Sequence, residues 1–433
     1  MTRPEGTPPE HTSPGSDNDA GVPLHRGDPP AEQRAMARSA AVVDRGHRGV
    51  IAVPGPDRLT WLHLLLTQHV SELPTDTGTE ALVLDLNGRV LHHMVVAHVG
   101  DSVYLDTEPD GVPELLDYLQ KMVFWSQVEP RDATGELAVL SLVGPATPAV
   151  LAAAGVDEPA APHGVCALPG GGLVRRMPWP GADATDLLVP RAAQSTWWDR
   201  LTSAGARPAG TMAFEALRVE ALRPRLGVDT DDRTIPHEVG WIDSAVHLTK
   251  GCYRGQETVA RVANLGRPPR RLVLLHLDAG DEYLPVPGDP VLRESRTVGR
   301  VGTVAQHHEL GPVALALVKR SVPVDAELVA GVDERAAPPP STPIRSPRRT
   351  TYPRQDAPPR SAAACATETY RHAICRLLSH ARMLTSKAGR DAVPSSHDRA
   401  GRGRRRRDDS GVSASMRAPA RRQCRCRGCS SVA

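Results

Sequence analysis

Apolar and polar positions near residue 50 predict a strand, a helix and a β-hairpin. Residues 49–53 form a short apolar run, and after a Gly-Pro turn leucines recur at helical spacing over 59–66. Asp57 directly precedes this helix, where its side chain can cap the first turn. Two further apolar runs, 81–86 and 89–99, are joined by Asn-Gly, which is the strongest short hairpin signal.

The mixture of strands and helices continues to about residue 221. The hairpin leads through a tight Gly-Asp turn into a third strand, and the order of elements then repeats loosely. The predicted strands are 103–106, 137–143, 173–177 and 186–189, and the predicted helices are 112–122, 147–154, 194–204 and 211–221. Strands and helices mixed in this order predict an α+β fold rather than a strictly alternating parallel sheet.

Beyond Asn264 the pattern predicts short strands alone. Gly-Asp and Gly-Pro turns separate four β segments, which are 271–277, 290–292, 297–305 and 313–318. Evenly spaced strands with turn residues between them predict a small antiparallel barrel or sandwich. We therefore predict a first domain over residues 38–265 and a C-terminal β-barrel over residues 266–335.

Composition separates this body from two tails. Residues 1–37, rich in Pro, Gly, Asp and Glu, predict a disordered leader. Residues 336–433 carry 21 Lys and Arg against 6 Asp and Glu, whereas the rest of the chain carries 31 against 44. This basic, low-complexity tail has too few aromatic residues to offset its ordering entropy. Because its composition is typical of a GC-rich gene read out of frame, a frameshift product is our leading hypothesis for it.

Several protein classes are disfavoured by the sequence. The longest uncharged stretch, 137–156, is interrupted by prolines and does not resemble a membrane span. The first residues lack the apolar segment of a signal peptide. The body contains only Cys166 and Cys252, too few for a disulfide framework. These features predict a soluble, cytoplasmic protein with no membrane partner.

The densest chemical signal is the segment 250–257, Lys-Gly-Cys-Tyr-Arg-Gly-Gln-Glu. Its two glycines permit backbone angles that a Cβ would forbid, and a close approach to a ligand. Cys252 lies between Lys250 and Arg254, whose positive charges favour the thiolate. A thiolate can act as a nucleophile, a redox centre or a metal ligand. A buried structural thiol at a tight turn is the competing interpretation.

This segment resembles the hallmark of the YgfZ family, Lys-Gly-Cys-(Tyr/Phe)-x-Gly-Gln-Glu, at every fixed position. Residues 48–57, 217–227 and 235–240 are similar to other segments of that family, and the resemblance covers roughly residues 43–332. The family is related to the folate-binding T-protein of the glycine cleavage system. The resemblance implies a pseudo-symmetric folate-binding domain followed by a small β-barrel, with tetrahydrofolate as the ligand.

The resemblance also implies roles for individual residues. A pterin presents an N–H and an amino group side by side, and one carboxylate can accept a hydrogen bond from each of them. Glu220 is the first candidate, because its segment resembles the one that supplies a glutamate to folate in the T-protein relatives. An ordinary helix-surface pair with Arg223 is the competing interpretation of Glu220. The further cofactor-binding candidates are Glu238, Gln256 and Glu257, and the cations considered for the anionic glutamyl tail are Arg223, Arg254 and Arg261.

One departure from the T-protein relatives concerns the second strand of the hairpin, after the Asn-Gly turn. The relatives carry there an acidic residue that assists aminomethyl transfer, whereas this chain has His92 and His93. A neutral imidazole can shuttle a proton near pH 7, but it cannot supply the negative charge that stabilises a cationic intermediate. Two strand residues that face opposite sides of the sheet are the simpler interpretation. Glycine cleavage is therefore disfavoured.

We predict from these features a folate-binding, YgfZ-like protein that supports assembly or repair of iron–sulfur enzymes. Cys252 would be the reactive group, with Lys250 and Arg254 beside it. Iron–sulfur client enzymes would be its transient partners, and tRNA modification would be affected through them.

A folate-dependent one-carbon transferase is the first alternative. The second, disfavoured by the acidic body, is a nucleic-acid-binding protein that uses the basic run 402–407. The three cysteines near the C-terminus are one ligand short of a usual zinc site, so no metal site is predicted.

Overall fold

The computed structural model describes residues 19–181, 183–278 and 284–331. The strands are β1 Ala41–Asp44, β2 Gly49–Pro54, β3 Thr77–Leu84, β4 Val90–Val99, β5 Ser102–Thr107, β6 Arg131–Asp132, β7 Leu137–Val143, β8 Val165–Ala167, β9 Leu173–Met177, β10 Ala184–Pro190, β11 Arg207–Ala209, β12 Arg270–His276, β13 Pro290–Arg293, β14 Arg296–His307, β15 Gly311–Lys319 and β16 Val329–Ala330. The helices are α1 Pro29–Arg38, α2 Arg58–Leu65, α3 Val112–Lys121, α4 Thr147–Ala153, α5 Gln194–Ser203, α6 Thr211–Glu220, α7 Trp241–Ser244 and α8 Gln256–Leu265.

Two parts of the chain repeat one order of elements. The series β2, α2, β3, β4, β5, α3 corresponds to the series β7, α4, β8, β9, β10, α5. The strands also pair in the same order, β3-β4-β5-β2 in one sheet and β8-β9-β10-β7 in the other. In each series a glycine with positive φ, Gly55 or Gly144, turns the chain from strand into helix. The repeat confirms the predicted α+β fold and its pseudo-symmetry.

The two sheets pack face to face with helices on their outer sides. β6 completes the first sheet, and β1 and β11, which pair in parallel, complete the second. Apolar residues of both sheets, such as Val50 and Leu188, are buried together between them. α2 and α3 cover the outer face of the first sheet, and α4 and α5 cover that of the second. The four layers therefore enclose three apolar interfaces.

Charged residues share the space between the two sheets. Asp106 on β5 is buried and accepts hydrogen bonds from Arg48 Nε at 2.7 Å and from Arg175 on β9. Arg175 also donates to Asp186 on β10 at 2.7 Å, and Arg45 lies 3.6 Å from the same carboxylate. Burying such charges costs desolvation energy, which their mutual pairing offsets. The network therefore ties the two sheets together across their interface.

A third sheet follows α8 and has the antiparallel order β12-β15-β14-β13-β16. The four β segments predicted beyond Asn264 fall on β12 to β15. Leu315 of this sheet packs with Val219 of α6 and Trp241 of α7, so the sheet shares a core with the preceding elements. Among the described residues the pairing runs from β12 at one edge to β16 at the other. A closed barrel stays a prediction.

The prediction of a disordered leader must be corrected for residues 19–37. The Asp28 carboxylate caps α1 by accepting from Ala31 N–H at 2.9 Å, and Pro29 occupies the first helical position. The buried carboxylate of Glu32 accepts from the backbone N–H of Gly210 at 2.9 Å. The helix is stabilised by tertiary contacts of small and polar side chains, which composition does not reveal. Residues 1–18 and the predicted tail, 336–433, lie outside the described residues.

Two local details also differ from the sequence predictions. Asp57 does not cap α2, because its carboxylate accepts a hydrogen bond from Gln127 N–H at 2.7 Å instead. α8, which begins inside the 250–257 segment, was not among the predicted helices. Within the described ranges, no helix is long and apolar enough to cross a bilayer.

Candidate functional site

A cavity of about 610 Å³, including its open mouth, lies where both central sheets meet α6 and the segment after it. Aromatic and charged side chains dominate its lining. The aromatic and imidazole side chains are His47, His93, Trp179, Phe214 and Trp241, and the charged ones are Asp19, Arg45, Arg48, Glu80, Glu108, Glu215, Arg218, Arg223 and Arg225.

Glu80 and His93 form a hydrogen-bonded pair in this cavity. They lie on the adjacent strands β3 and β4, and His93 Nε2 is 3.0 Å from Glu80 Oε2. Trp179 Nε1 and Ser244 Oγ donate to the same carboxylate, each at 3.3 Å. The His93 ring stacks on Trp241 with centroids 4.6 Å apart and planes within 10°. Both members of the pair are therefore held in fixed orientations.

Electrostatics keep the Glu80 carboxylate ionised. Burial by itself raises the pKa of a carboxyl group, and only 1% of Glu80 is exposed. The hydrogen bond and charge of His93, together with the charge of Arg223, outweigh burial and lower the pKa of Glu80 to about 2. The cavity thus contains a fixed negative charge at neutral pH, directly beside an imidazole.

Arg223 has a looser ion pair than the other arginines at this end of the cavity. Its guanidinium is 3.8 Å from Glu80 and partly exposed. In contrast, Arg218 donates to Glu215 at 2.6 Å, and Arg225 donates to Glu108 at 2.9 Å. Arg223 is therefore the cation best placed to bind a ligand without breaking a short ion pair.

Lys250 and Cys252 lie outside this cavity, in a loop beside α2. Lys250 Nζ donates to the carbonyl oxygens of His63 and Leu66, the latter at 2.5 Å. Burial lowers the pKa of Lys250 to about 8, and the nearby Cys252 partly offsets this effect. Cys252 is exposed, which contradicts the interpretation as a buried structural thiol. The loop therefore presents a thiol to solvent beside a lysine whose pKa is lowered to about 8.

The remaining residues of the motif have different surroundings. Gln256 Nε2 donates to the Lys250 carbonyl oxygen at 3.3 Å, so this side chain stabilises the loop. Arg254 and Glu257 are exposed, and neither lines the cavity. Gly255 has φ +83, and a Cβ there would meet Asp85 O at 2.6 Å. This glycine therefore lets the loop contact the tip of the β3–β4 hairpin.

Glu220 and Glu238, which the sequence analysis assigns to the folate, also lie outside the cavity lining. The Glu220 carboxylate is half exposed and lies 3.2 Å from His307 Nε2 on the third sheet. Glu238 is buried, and Arg270 donates to both of its oxygens at 2.8 Å. Among the cofactor-binding candidates named from the motifs, Arg223 lines the cavity. The predicted site residues thus divide among several places.

Comparison with known proteins identifies the family. The model of the GCVT N-terminal domain matches residues 28–250, more than half of the chain. The chain belongs to the GCVT N-terminal domain family. An aminomethyltransferase of Streptomyces avermitilis is 26% identical over 331 residues, which cover 73% of this chain and 88% of that protein. One from Geobacillus kaustophilus is 30% identical over 309 residues, covering 67% and 82%.

A solved structure shares the fold. The glycine cleavage system aminomethyltransferase T from Bartonella henselae superposes with a TM-score of 0.68 at 19% identity, covering 77% of this chain and 92% of that chain. The predicted relationship to the T-protein is thereby confirmed at the level of the GCVT family. The narrower assignment to YgfZ stays a prediction.

In this GCVT-family chain, Glu80 and His93 were not among the site residues proposed from the sequence. His93 was interpreted as one of two strand residues on opposite faces, and this part is confirmed, since His92 is buried away from the cavity lining. The available signal was Glu80, a charged residue at the start of an apolar strand run. Its proximity to His93 depends on the register of the β3–β4 hairpin, in which Leu82 is opposite His93.

Proposed function

We propose that this GCVT-family protein binds tetrahydrofolate in the cavity and transfers a one-carbon group from it to an acceptor. The observation that carries the proposal is the Glu80–His93 pair inside the cavity. The sequence analysis disfavoured transfer because a carboxylate was missing after the hairpin. Glu80, on β3, the first strand of the hairpin, supplies that negative charge from the strand that precedes the turn.

The residues present fit a folate in their chemistry. Trp179 and Phe214 provide apolar walls for a flat ring system. Arg223 would bind a carbonyl or carboxylate oxygen of the ligand, because its own ion pair is long. A tetrahydrofolate that carries a one-carbon unit on N5 or N10 would supply that unit and would leave as unsubstituted tetrahydrofolate. Glu220 would contribute to this cavity only after leaving His307.

His93 is the group that would move a proton. Its Nε2 is held by Glu80, so Nδ1 is the nitrogen left to exchange a proton with the acceptor. Glu80 stabilises the protonated imidazole, and Trp241 fixes the plane of the ring. The arrangement therefore combines a general acid–base with a buried anion that stabilises positive charge.

Titration of tetrahydrofolate into the full-length protein tests the proposal. We expect saturable binding, measured by calorimetry, that Arg223→Ala weakens by roughly tenfold through loss of a charge-assisted hydrogen bond. Arg254→Ala, which removes an exposed arginine outside the cavity, is the matched control and should bind as the wild type does. A folded protein that does not bind tetrahydrofolate would overturn the proposal.

A second candidate function, maintenance of iron–sulfur enzymes, is favoured by the Cys252 loop. The thiol is exposed, and Lys250 beside it titrates near pH 8, so protons can be exchanged close to the sulfur. Client iron–sulfur enzymes would meet this loop as transient partners. Neither Cys252 nor Lys250 lines the cavity, so the thiol chemistry would be separate from folate binding.

Cys252→Ser separates the two functions. In cells we expect it to abolish support of iron–sulfur enzymes, because serine cannot form the thiolate, while tetrahydrofolate affinity stays within twofold of wild type. Cys166→Ser, at the other described free cysteine, is the matched control and should retain support. Normal cluster-enzyme activity in the Cys252→Ser strain would remove this role.

A further inference from the structure

The segment before α1 places a carboxylate of the chain itself inside the cavity. Asp19 lines it, and both terminal nitrogens of Arg225 donate to this carboxylate, Nη2 to Oδ1 at 2.7 Å and Nη1 to Oδ2 at 3.0 Å. His47 Nε2 lies 3.3 Å from the same Oδ1. Two parallel hydrogen bonds from one guanidinium are the geometry with which proteins recognise the carboxylate of a bound molecule.

Arg225 keeps its position by contacts that do not involve Asp19. Its Nε donates to Glu108 at 2.9 Å, and its own backbone N–H donates to Asp229 at 2.8 Å. Glu108 is in turn held by Arg48. The side chain of Arg225 is 8% exposed, so the guanidinium is oriented within the wall of the cavity. Removal of Asp19 would therefore leave a preorganised site with two vacant donors.

The attachment of the segment allows residues 19–22 to move while the residues after them stay docked. The carbonyl oxygens of Pro23 and Leu24 accept from the backbone N–H groups of Thr211 and Met212, at 3.1 and 2.9 Å. These bonds fix the segment at the N-terminal end of α6, four residues beyond Asp19. A displacement of residues 19–22 therefore frees Arg225 without undocking the rest of the segment.

We propose that Arg225 is a carboxylate-binding subsite of the cavity, which Asp19 occupies as an internal ligand until the carboxylate of a bound molecule displaces it. The proposal rests on the proposed function in one respect, since the glutamyl carboxylate of tetrahydrofolate is then the natural occupant. Arg223 faces Glu80 while Arg225, two residues later, faces Asp19. One ligand with a ring at the first and a carboxylate at the second would use both.

Asp19→Asn tests the subsite, because it removes the competing charge while keeping a side chain of similar shape. The probe is p-aminobenzoylglutamate, which has the carboxylates of folate but no pterin, titrated into the full-length protein by calorimetry. We expect Asp19→Asn and Asp19→Ala to bind it at least tenfold more tightly than wild type. Asp28→Asn, which alters the same segment at the α1 cap outside the cavity, should bind as wild type does.

A second probe, 6-methyltetrahydropterin, has the ring but no carboxylate and should bind wild type and Asp19→Asn equally. If this pterin does not bind either protein, the folate proposal fails, while the subsite is still decided by p-aminobenzoylglutamate. Equal affinity of wild type and both Asp19 variants for p-aminobenzoylglutamate, or no binding to folded Asp19→Asn, overturns the subsite. The contact between Asp19 and Arg225 would then be a structural ion pair only.

Discussion

Glu80→Gln should lower the rate of one-carbon transfer by about 100-fold or more, while the affinity for tetrahydrofolate changes less than tenfold. The substitution keeps the size of the side chain but removes the negative charge that stabilises a protonated His93 through a hydrogen bond. Arg223 and the aromatic walls remain to bind the ligand. Turnover of methylenetetrahydrofolate with an amine acceptor, measured beside calorimetric affinity, gives the two quantities.

Ser244→Ala is the matched control for this prediction. Its hydroxyl donates to the same Glu80 oxygen at 3.3 Å, so the substitution removes one long hydrogen bond and leaves the charge. We expect the rate to change less than fivefold. If Glu80→Gln transfers at the wild-type rate, or loses affinity and rate in parallel, Glu80 is not the group that supports proton movement at His93.

Asp106→Asn should reduce the free energy of unfolding by about 3–5 kcal/mol, because it leaves buried arginines without their shared anion. Asp106 is 1% exposed and accepts from both Arg48, in the turn between β1 and β2, and Arg175 on β9. Chemical denaturation followed by tryptophan fluorescence measures the loss. An exposed carboxylate gives the comparison. Asp117→Asn breaks a pair with Lys121 at 2.6 Å on the surface of α3 and should change stability by less than about 1 kcal/mol.

The same carboxylate predicts the direction of acid sensitivity. Burial raises the pKa of Asp106, but the charges of Arg48 and Arg175 outweigh it and hold the pKa well below its usual range. Its contribution to stability is therefore complete above the pKa of an unfolded aspartate, about 4, and is lost as the pH falls below that value. Between about pH 5 and about pH 2, the free energy of unfolding should fall more for the wild type than for Asp106→Asn. Parallel pH profiles would contradict this account.

Local signals in the sequence were sufficient for the elements that surround the site. The Asn-Gly turn predicted the β3–β4 hairpin, and β7 was predicted over the same residues that the structure shows. The repeat of strand, helix and meander followed from apolar periodicity and glycine turns. These elements are specified by residues close to one another in the chain, which is why a single sequence predicts them well.

The cavity itself depends on distant residues, and the sequence predicted little of it. Glu80 meets Trp179, 99 positions away, and Arg225 meets Asp19, 206 positions away. Each of these charges has an ordinary surface interpretation when considered alone. Motif position led instead to Glu220, whose carboxylate lies beside His307. The sequence did contain one indication of a polar interior. Some apolar strands carry a charged residue that is buried on the inward side of the sheet, such as Arg175 on β9.

The hydrogen bonds of the Gln33 side chain can form only late in the synthesis of the chain. Its amide is 1% exposed, donates to the Gln306 carbonyl oxygen and accepts from His308 N–H, both at 2.8 Å. These partners are translated 273 and 275 residues after it. Until Gln306 and His308 have been synthesised, docking of α1 would bury the Gln33 amide without its hydrogen-bond partners. An unsatisfied buried polar group of this kind costs roughly 1–3 kcal/mol. α1 therefore reaches its final, fully bonded position only when nearly all of the described body has been synthesised.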